Sequence, residues 1–257
     1  SGSAALSVSN FLNGLDAAVT YHFRLAASNS LGMAFGADAQ ISTSLNVYAE
    51  SVLADQPLVY YRFDEASGTL AFNSGFLGAP ANGTYNANVS LGKPSLVPAF
   101  GYAAGFNNTN SGVAVPALGT YNQVTIEAWV KPRSFGLDLP GNPHTPYNAI
   151  YAPDVYDVYG AVQIEFLHNR PTLHELELAI GSTVFEVGNT GLFPSNSWVH
   201  LAVTYDSTAN KIITYVNGHP LVTNNAFAAP AILAAAHIGE QMSYGDWFDG
   251  GIDEFAI

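Results

Sequence analysis

From Trp198 to Asp206 the sequence alternates with a period of two. Val199, Leu201, Val203 and Tyr205 fall on one side, and Trp198, His200, Ala202 and Thr204 on the other. In a strand successive side chains point to opposite faces, so this run has one apolar and one mixed face; wound as a helix, its apolar residues would scatter around the axis. Short runs of the same kind recur along the chain, broken by Gly, Pro and Asn, and helical periodicity is almost absent. The pattern predicts strands over 58–63, 103–107, 112–115, 124–131, 162–168, 173–180, 184–187, 198–206, 211–216, 232–239 and 251–257. Asn217-Gly218, between 212–216 and Leu221-Val222, marks a two-residue hairpin turn. The chain reads as all-β. Its 257 residues, 48% of them apolar, suffice for one large sandwich with a small attachment, or for two domains.

Composition removes several function classes. With no cysteine there are no disulfides, thiolate nucleophiles or sulfur-ligated zinc. Seven Lys plus Arg stand against twenty Asp plus Glu, a net charge of −13. Phosphate backbones are bound by neutralising cations, so the overall field disfavours nucleic acid and anionic membrane. Calcium and neutral glycans are compatible with it. No apolar run of about 18 residues offers a membrane span. Charged residues make up only 11% of the chain, leaving a surface rich in Ser, Thr, Asn, Gly and Tyr that suits a secreted or cell-surface protein. The ends, Ser1-Gly2-Ser3 and apolar Ile257, read as those of a fragment. Asn82, Asn88 and Asn107 each begin an Asn-x-Ser/Thr acceptor, which matters only in a glycosylating host.

The chain falls into three regions. In residues 1–43, Val19, Tyr21, Phe23 and Leu25 alternate with Thr20, His22 and Arg24, Asn29–Gly32 is a turn, and 35–43 is a return strand. Leu15, Tyr21 six residues later and the run from Phe23 to Gly32 resemble the last three strands of a fibronectin type III domain. That resemblance implies a three-stranded piece in which Tyr21 is the tyrosine corner. Residues 44–56 read as a linker with a short helix, Val47, Val52 and Leu53 on its apolar side and Pro57 helping to end it. The large domain spans 57–257. Within it, 133–160 has no clear periodicity and carries Tyr147, Tyr151, Tyr156 and Tyr159 with Asp138, Asp154 and Asp157. A long irregular insertion on a rigid scaffold is the usual place for a functional loop.

Several linked segments then occur in order. They are Tyr60-Tyr61-Arg62-Phe63-Asp64-Glu65, Asn73-Ser74-Gly75 with Ala81-Asn82-Gly83-Thr84-Tyr85, and Gly105-Phe106-Asn107 with Val113–Pro116. Val124–Pro132, Trp198–Asp206, Tyr215-Val216-Asn217-Gly218, and Phe248–Phe255 after Ile238-Gly239 complete the set. Together they resemble the laminin-G-like (concanavalin A-like) family over roughly 50–257. The resemblance implies a two-sheet antiparallel jelly-roll sandwich in a secreted multidomain protein that binds glycans or proteins, often with calcium.

It also implies a structural calcium site from Asn73 and Asp253, with Glu254 as an added ligand. Calcium takes six to eight oxygens, and Asn73 supplies a neutral one where the family has an acid. The alternative is that Asp253 and Glu254 accept backbone hydrogen bonds at a sheet edge. A second candidate is Asp246-Trp247-Phe248-Asp249, where Asp246 and Asp249 flank aromatics that could face a sugar; the alternative is a packed Trp247 with solvated acids. Tyr147, Tyr151 and Tyr156 are candidates for partner contact, because tyrosine gives rigid area with a polar handle. His168 and His174 lack the spacing of a zinc site.

Catalysis is not expected. A glycosidase needs two carboxylates at a set separation, and the Glu-x-Asp-x-x-Glu run of related glycanases is absent. Glu175-Leu176-Glu177 is the nearest pair on one strand face. Nothing marks a tyrosine as a lyase base, and no Gly-x-Ser-x-Gly segment occurs. The sequence favours a non-catalytic extracellular adhesion module that contacts neighbouring domains, copies of itself or other proteins. The alternative is a calcium-dependent lectin-like module that binds a cell-surface or matrix glycan, and a glycanase or lyase comes third.

Overall fold

The computed structural model describes residues 19–42, 47–96, 101–135, 148–155, 161–167, 175–180, 183–189, 191–225, 229–243 and 245–257. The chain divides into two compact units, Ser1–Tyr48 and Ala49–Ile257.

In the first unit, β1 (Thr20–Phe23), β2 (Ala26–Asn29), β3 (Gly32–Phe35) and β4 (Ala39–Ser42) form two successive antiparallel ladders, β1 with β4 and β2 with β3. β1 pairs β4 from Thr20↔Ser42 to Phe23↔Ala39, and β2 pairs β3 up to Asn29↔Gly32. The described residues thus form a two-stranded hairpin. Leu15 and the segment that would supply a third, fibronectin-like strand lie outside them. The hairpin carries surface interactions, among them His22 Nδ1 with Asp38 Oδ2 at 2.7 Å and the Arg24 guanidinium 4.0 Å from the Phe35 ring centroid. Phe23, Leu31, Met33 and Phe35 are exposed.

The helix α1 (Val47–Ala54) comes next in the chain. Ala49 and Val52 are its buried positions, whereas Val47 and Leu53, expected on the apolar side, are exposed. The strands of the second unit begin with β5 (Tyr60–Tyr61), β6 (Leu70–Ala71), β7 (Gly83–Tyr85), β8 (Ser90–Pro94), β9 (Tyr102–Asn107), β10 (Val113–Val115) and β11 (Gly119–Tyr121). Next come β12 (Gln123–Pro132), β13 (Asn148–Pro153), β14 (Val162–Leu167), β15 (Glu175–Ile180), β16 (Thr183–Asn189), β17 (Val199–Asp206) and β18 (Lys211–Val216). The last are β19 (His219–Asn225), β20 (Ala231–Leu233), β21 (Ala236–Ile238), β22 (Glu240–Gln241), β23 (Asp246–Trp247) and β24 (Asp249–Ala256).

Sixteen of these strands make two sheets of eight. The front sheet runs β19-β18-β17-β12-β24-β9-β8, with β5 also on β24; the back sheet runs β16-β15-β14-β13-β21-β10-β7-β6. Antiparallel pairing and period-two burial dictate this layering. On β12, Val124, Ile126, Ala128 and Val130 enter the core, while Thr125, Glu127, Trp129 and Lys131 face outward. β17 repeats the pattern in register, from Gln123↔Asp206 to Val130↔Val199. The back sheet answers with Ile150, Ile164, Phe166, Leu176 and Leu178. The Tyr151 ring bridges the two sheets, 5.7 Å from that of Phe255.

The pairing of β24 with β12 is irregular at one point. Glu127 opposes Ala256 and Trp129 opposes Asp253, so β24 advances three residues while β12 advances two. Glu254, at φ 51°, is the extra residue of a β-bulge. The bulge resets the alternation, so Ile252 and Phe255 both face the core.

Most expected strands are found with small shifts at their ends; 58–63 is reduced to β5, Tyr60–Tyr61, with Phe63 at positive φ, and 232–239 is divided into β20 and β21. The expected irregular insertion is partly regular: β13 lies within it, and all six of its residues are buried.

Candidate functional site

The outer face of the front sheet carries a groove of about 270 Å³, floored by β9 and β24. Gly105 and Gly251 sit opposite each other there. A Cβ on Gly251 would stand 2.9 Å from Cη2 of Trp198, and one on Gly105 would stand 3.0 Å from Cγ of Lys93. The two glycines therefore let the Trp198 ring and the Lys93 stem settle against the backbone from either side. Trp198 enters from the 191–198 turn, which is tied to the end of β12 where Asn196 N–H donates to Pro132 O at 2.7 Å. It is half-buried, with one face of the groove open to it. Lys131 Nζ lies 5.8 Å from its ring centroid, within cation–π range. Asn107, Asn196 and Arg133 complete the polar rim, and Pro94, Ala103 and Phe106 add apolar wall.

Arg133 is fixed by Asp249. Its Nε donates to Asp249 Oδ2 at 3.2 Å, its second guanidinium nitrogen pairs with Asp249 Oδ1, and Ser134 Oγ joins the same carboxylate. Asp249, a predicted sugar ligand, is thus a buried anchor for a groove-lining cation. Asp246, also predicted, is buried in the small β22–β23 pair, and Phe248 is fully buried. Trp247 is half-buried, with Gly245 under its ring and its carbonyl accepting from Asn148 Nδ2 at 3.2 Å. These residues are therefore not an open sugar platform. The core side of the sandwich claims Phe248, and each acid is drawn inward with it.

Tyr151 is corrected in the same way. It is 1% exposed inside the core, and burial pushes its hydroxyl well above the usual tyrosine range. It packs the sandwich and presents nothing to a partner. Tyr147, Tyr156, Tyr159, His168 and His174 lie outside the described residues.

The predicted metal residues divide into two settings. Both lone pairs of Asn73 Oδ1 are taken, by Tyr60 N–H at 2.8 Å and Gly75 N–H at 2.7 Å. Its Nδ2 donates to Leu58 O and Gly78 O. Asn73 thus ties the 73–78 turn to the strand before it. Asp253 and Glu254, both fully buried, turn to the outer side of β24. Ser95 Oγ donates to Asp253 Oδ2. Glu254 receives the Tyr60 hydroxyl and stands 3.7 Å from Arg62 Nε, and Arg62 also meets Asp64 at 3.0 Å. Burial pushes Asp253 up to about 8 and Glu254 up to about 7. An Asn with no free lone pair and a Glu facing a guanidinium do not fit one calcium ion with Asp253. Among the described residues no group of three His, Asp or Glu has metal-site geometry.

The back sheet holds acids that the sequence only hinted at. Glu165 and Glu177 face each other across β14 and β15, and both are buried. Burial, and then the Glu177 charge, push Glu165 well above the usual carboxylate range, and the two carboxyls share a hydrogen bond. A retaining glycosidase holds its pair about 5 Å apart across an accessible bond, and this pair is closer and covered. Glu175-Leu176-Glu177 signalled an acidic strand face, but the facing Glu165 was visible only in the register. Nearby, His237 Nδ1 meets Asp154 Oδ1 at 2.7 Å, and its Nε2 lies 3.6 Å from Glu240.

No curated protein matches the sequence. Among solved structures, a botulinum neurotoxin type C structure from work on its two ganglioside interactions aligns with a TM-score of 0.55 and 11% identity. The alignment covers 80% of this chain and 48% of that one. The receptor-binding domain of botulinum neurotoxin type G aligns at 0.53 and 11%, covering 78% and 47%. This chain thus spans about half of those proteins, and the likeness is one of fold. Domain 4 of an extracellular arabinanase from Geobacillus stearothermophilus, solved with arabinotriose, aligns at 0.49 and 18%, covering 78% and 91%. Residues 107–257, more than half of the chain, match a laminin-G profile, and the protein belongs to the concanavalin A-like lectin/glucanases superfamily.

Proposed function

We propose that the protein is a non-catalytic, extracellular glycan-binding module whose site is the front-sheet groove. One observation carries this: an indole held against a glycine floor, ringed by Lys131, Lys93, Arg133 and two asparagines. Sugars offer C–H faces that pack on aromatic rings and hydroxyls that pair with amides and cations, and a concave site with a few fixed polar groups supplies both. The rigid sheet fixes the floor, so little ordering is needed on binding. The neurotoxin structure with TM-score 0.55 comes from work on ganglioside interactions, which is in keeping with this reading. Calcium has no part in the site as proposed.

Glycan-array screening followed by calorimetry tests it. Trp198→Ala is expected to weaken the best glycan about tenfold or more, the equivalent of about 1.4 kcal/mol, with melting temperature nearly unchanged. A wild-type protein that retains no glycan, or a Trp198→Ala variant that binds as well as wild type, would end the proposal.

A second reading, attachment to another protein or copy, rests on the exposed Phe23, Leu31, Met33, Phe35 and Ile41 of the hairpin.

A further inference from the structure

We infer that the sugar taken by the groove is acidic, a ring carrying an anionic substituent that Lys93 and Lys131 recognise. This rests on the reading that the groove binds a glycan. The chain has only seven Lys and Arg residues and a net charge of −13, yet Lys93, Lys131 and Arg133 all line this one groove. What sets this groove apart is the gathering of three of the chain's seven cations around one floor. Of the three, only Arg133 is matched by a carboxylate, that of Asp249. Among the described residues neither Lys93 nor Lys131 forms an ion pair.

Neither carboxyl two residues from Gly251 on the floor strand cancels them: Asp249 is engaged by Arg133, and the other is Asp253. Asp253 lies two residues beyond Gly251 on β24, buried and covered by Ser95. The groove therefore keeps two unmatched positive charges on opposite sides of its glycine floor. Lys93 comes from β8 over Gly105, and Lys131 from β12 beside Trp198. Lys131 Nζ stands over the Trp198 ring, 5.8 Å from its centroid, within reach of an anionic substituent on a sugar that packs beside the indole.

The net negative field and this local positive one act over different ranges. Exposed charges more than about 8 Å apart are largely screened at physiological salt. A ligand with isolated acidic residues meets mainly Lys93 and Lys131, whereas a dense polyanion also meets the acidic remainder of the molecule. Sparsely acidic glycans are thus favoured over heavily charged polymers.

The test sets acidic oligosaccharides beside their neutral parents on the intact protein. The probes are hexuronate oligomers with their carboxyl-reduced forms, sialylated oligosaccharides with their desialylated forms, and sulfated oligosaccharides with their desulfated forms. The expected result is at least about tenfold tighter binding of one acidic class than of its neutral parent, shrinking as salt rises to about 0.5 M. The class that binds tells carboxylate from sulfate. In the double variant Lys93→Gln with Lys131→Gln, the acidic-to-neutral ratio should fall toward one, and an unchanged melting temperature would show that the fold persists. Neutral parents binding as well as the acidic forms, or an unchanged ratio in the double variant, would overturn the inference while leaving glycan binding intact. Binding of neither kind would overturn both.

Discussion

At the scale of single residues, the groove depends on absent side chains as much as on present ones. Gly251→Ala puts a methyl 2.9 Å from Trp198 and must move the indole. The substitution should weaken glycan binding nearly as much as Trp198→Ala while changing stability little, since the ring can swing outward. Calorimetry beside a thermal melt separates the two effects. Asp253 makes a different prediction. Ordinary aspartate and glutamate ionise near pH 4, whereas burial holds Asp253 at about 8 and Glu254 at about 7 in the folded protein. Between about pH 4 and about pH 8 the folded state therefore holds protons that the unfolded chain has released. Their contribution is greatest at the acid end, declines as pH rises through this window, and levels off above it. Asp253→Asn keeps the shape without the charge. It should flatten that slope and raise stability at pH 8 by something on the order of a few kcal/mol. Urea unfolding at about pH 5 and pH 8 checks this, and an unaltered slope would refute it.

At the scale of elements, β24 organises both the core and the groove. Its bulge at Glu254 returns Phe255 to the core, and its edge is shared by β9 up to Ile252 and by β5 from Phe255. Asp253 and Glu254 fall in the interval between those partners, which is why their side chains meet Ser95, Tyr60 and Arg62. Gly250 is the tight point of the same strand. Its φ is 151°, and a Cβ would overlap Lys131 O at 2.1 Å. Gly250→Ala must push β12 and β24 apart. It should cost about 3 kcal/mol or more, as overlaps with fixed backbone do. Gly250→Ala is thus expected to lower the denaturation midpoint, whereas Gly251→Ala loosens only the ligand.

At the scale of the whole molecule, the two units differ in what holds them. The second has a continuous core drawn from both sheets. In the first, every described residue of β1–β4 is exposed except the half-buried Tyr21. Amide exchange should register this, with the β1–β4 protons exchanging roughly a hundredfold or more faster than those of β12, β17 and β24. Equal protection would show that the hairpin is buttressed as firmly as the sandwich. The net charge belongs to this scale as well. It sets long-range repulsion of polyanions, while the cations gathered over one glycine pair make a local positive field.

Period two, a turn at Asn217-Gly218 and the order of the linked segments fixed the fold class and most strands, because strand burial is written locally in alternate residues. Strands such as β6, β11 and β13 escaped, being too short or too uniformly apolar for alternation to show. The candidate sites fared differently for a physical reason. Asp246, Asp249, Asn73 and Tyr151 have chemistry suited to ligands, but what a side chain touches depends on partners far away in sequence. Arg133 takes Asp249, two backbone amides take Asn73, and the core takes Tyr151. The groove is the reverse case. Lys93, Gly105, Lys131, Trp198 and Gly251 are unremarkable where they stand in the sequence, and only the pairing of β8, β9, β24 and β12 sets them around one floor.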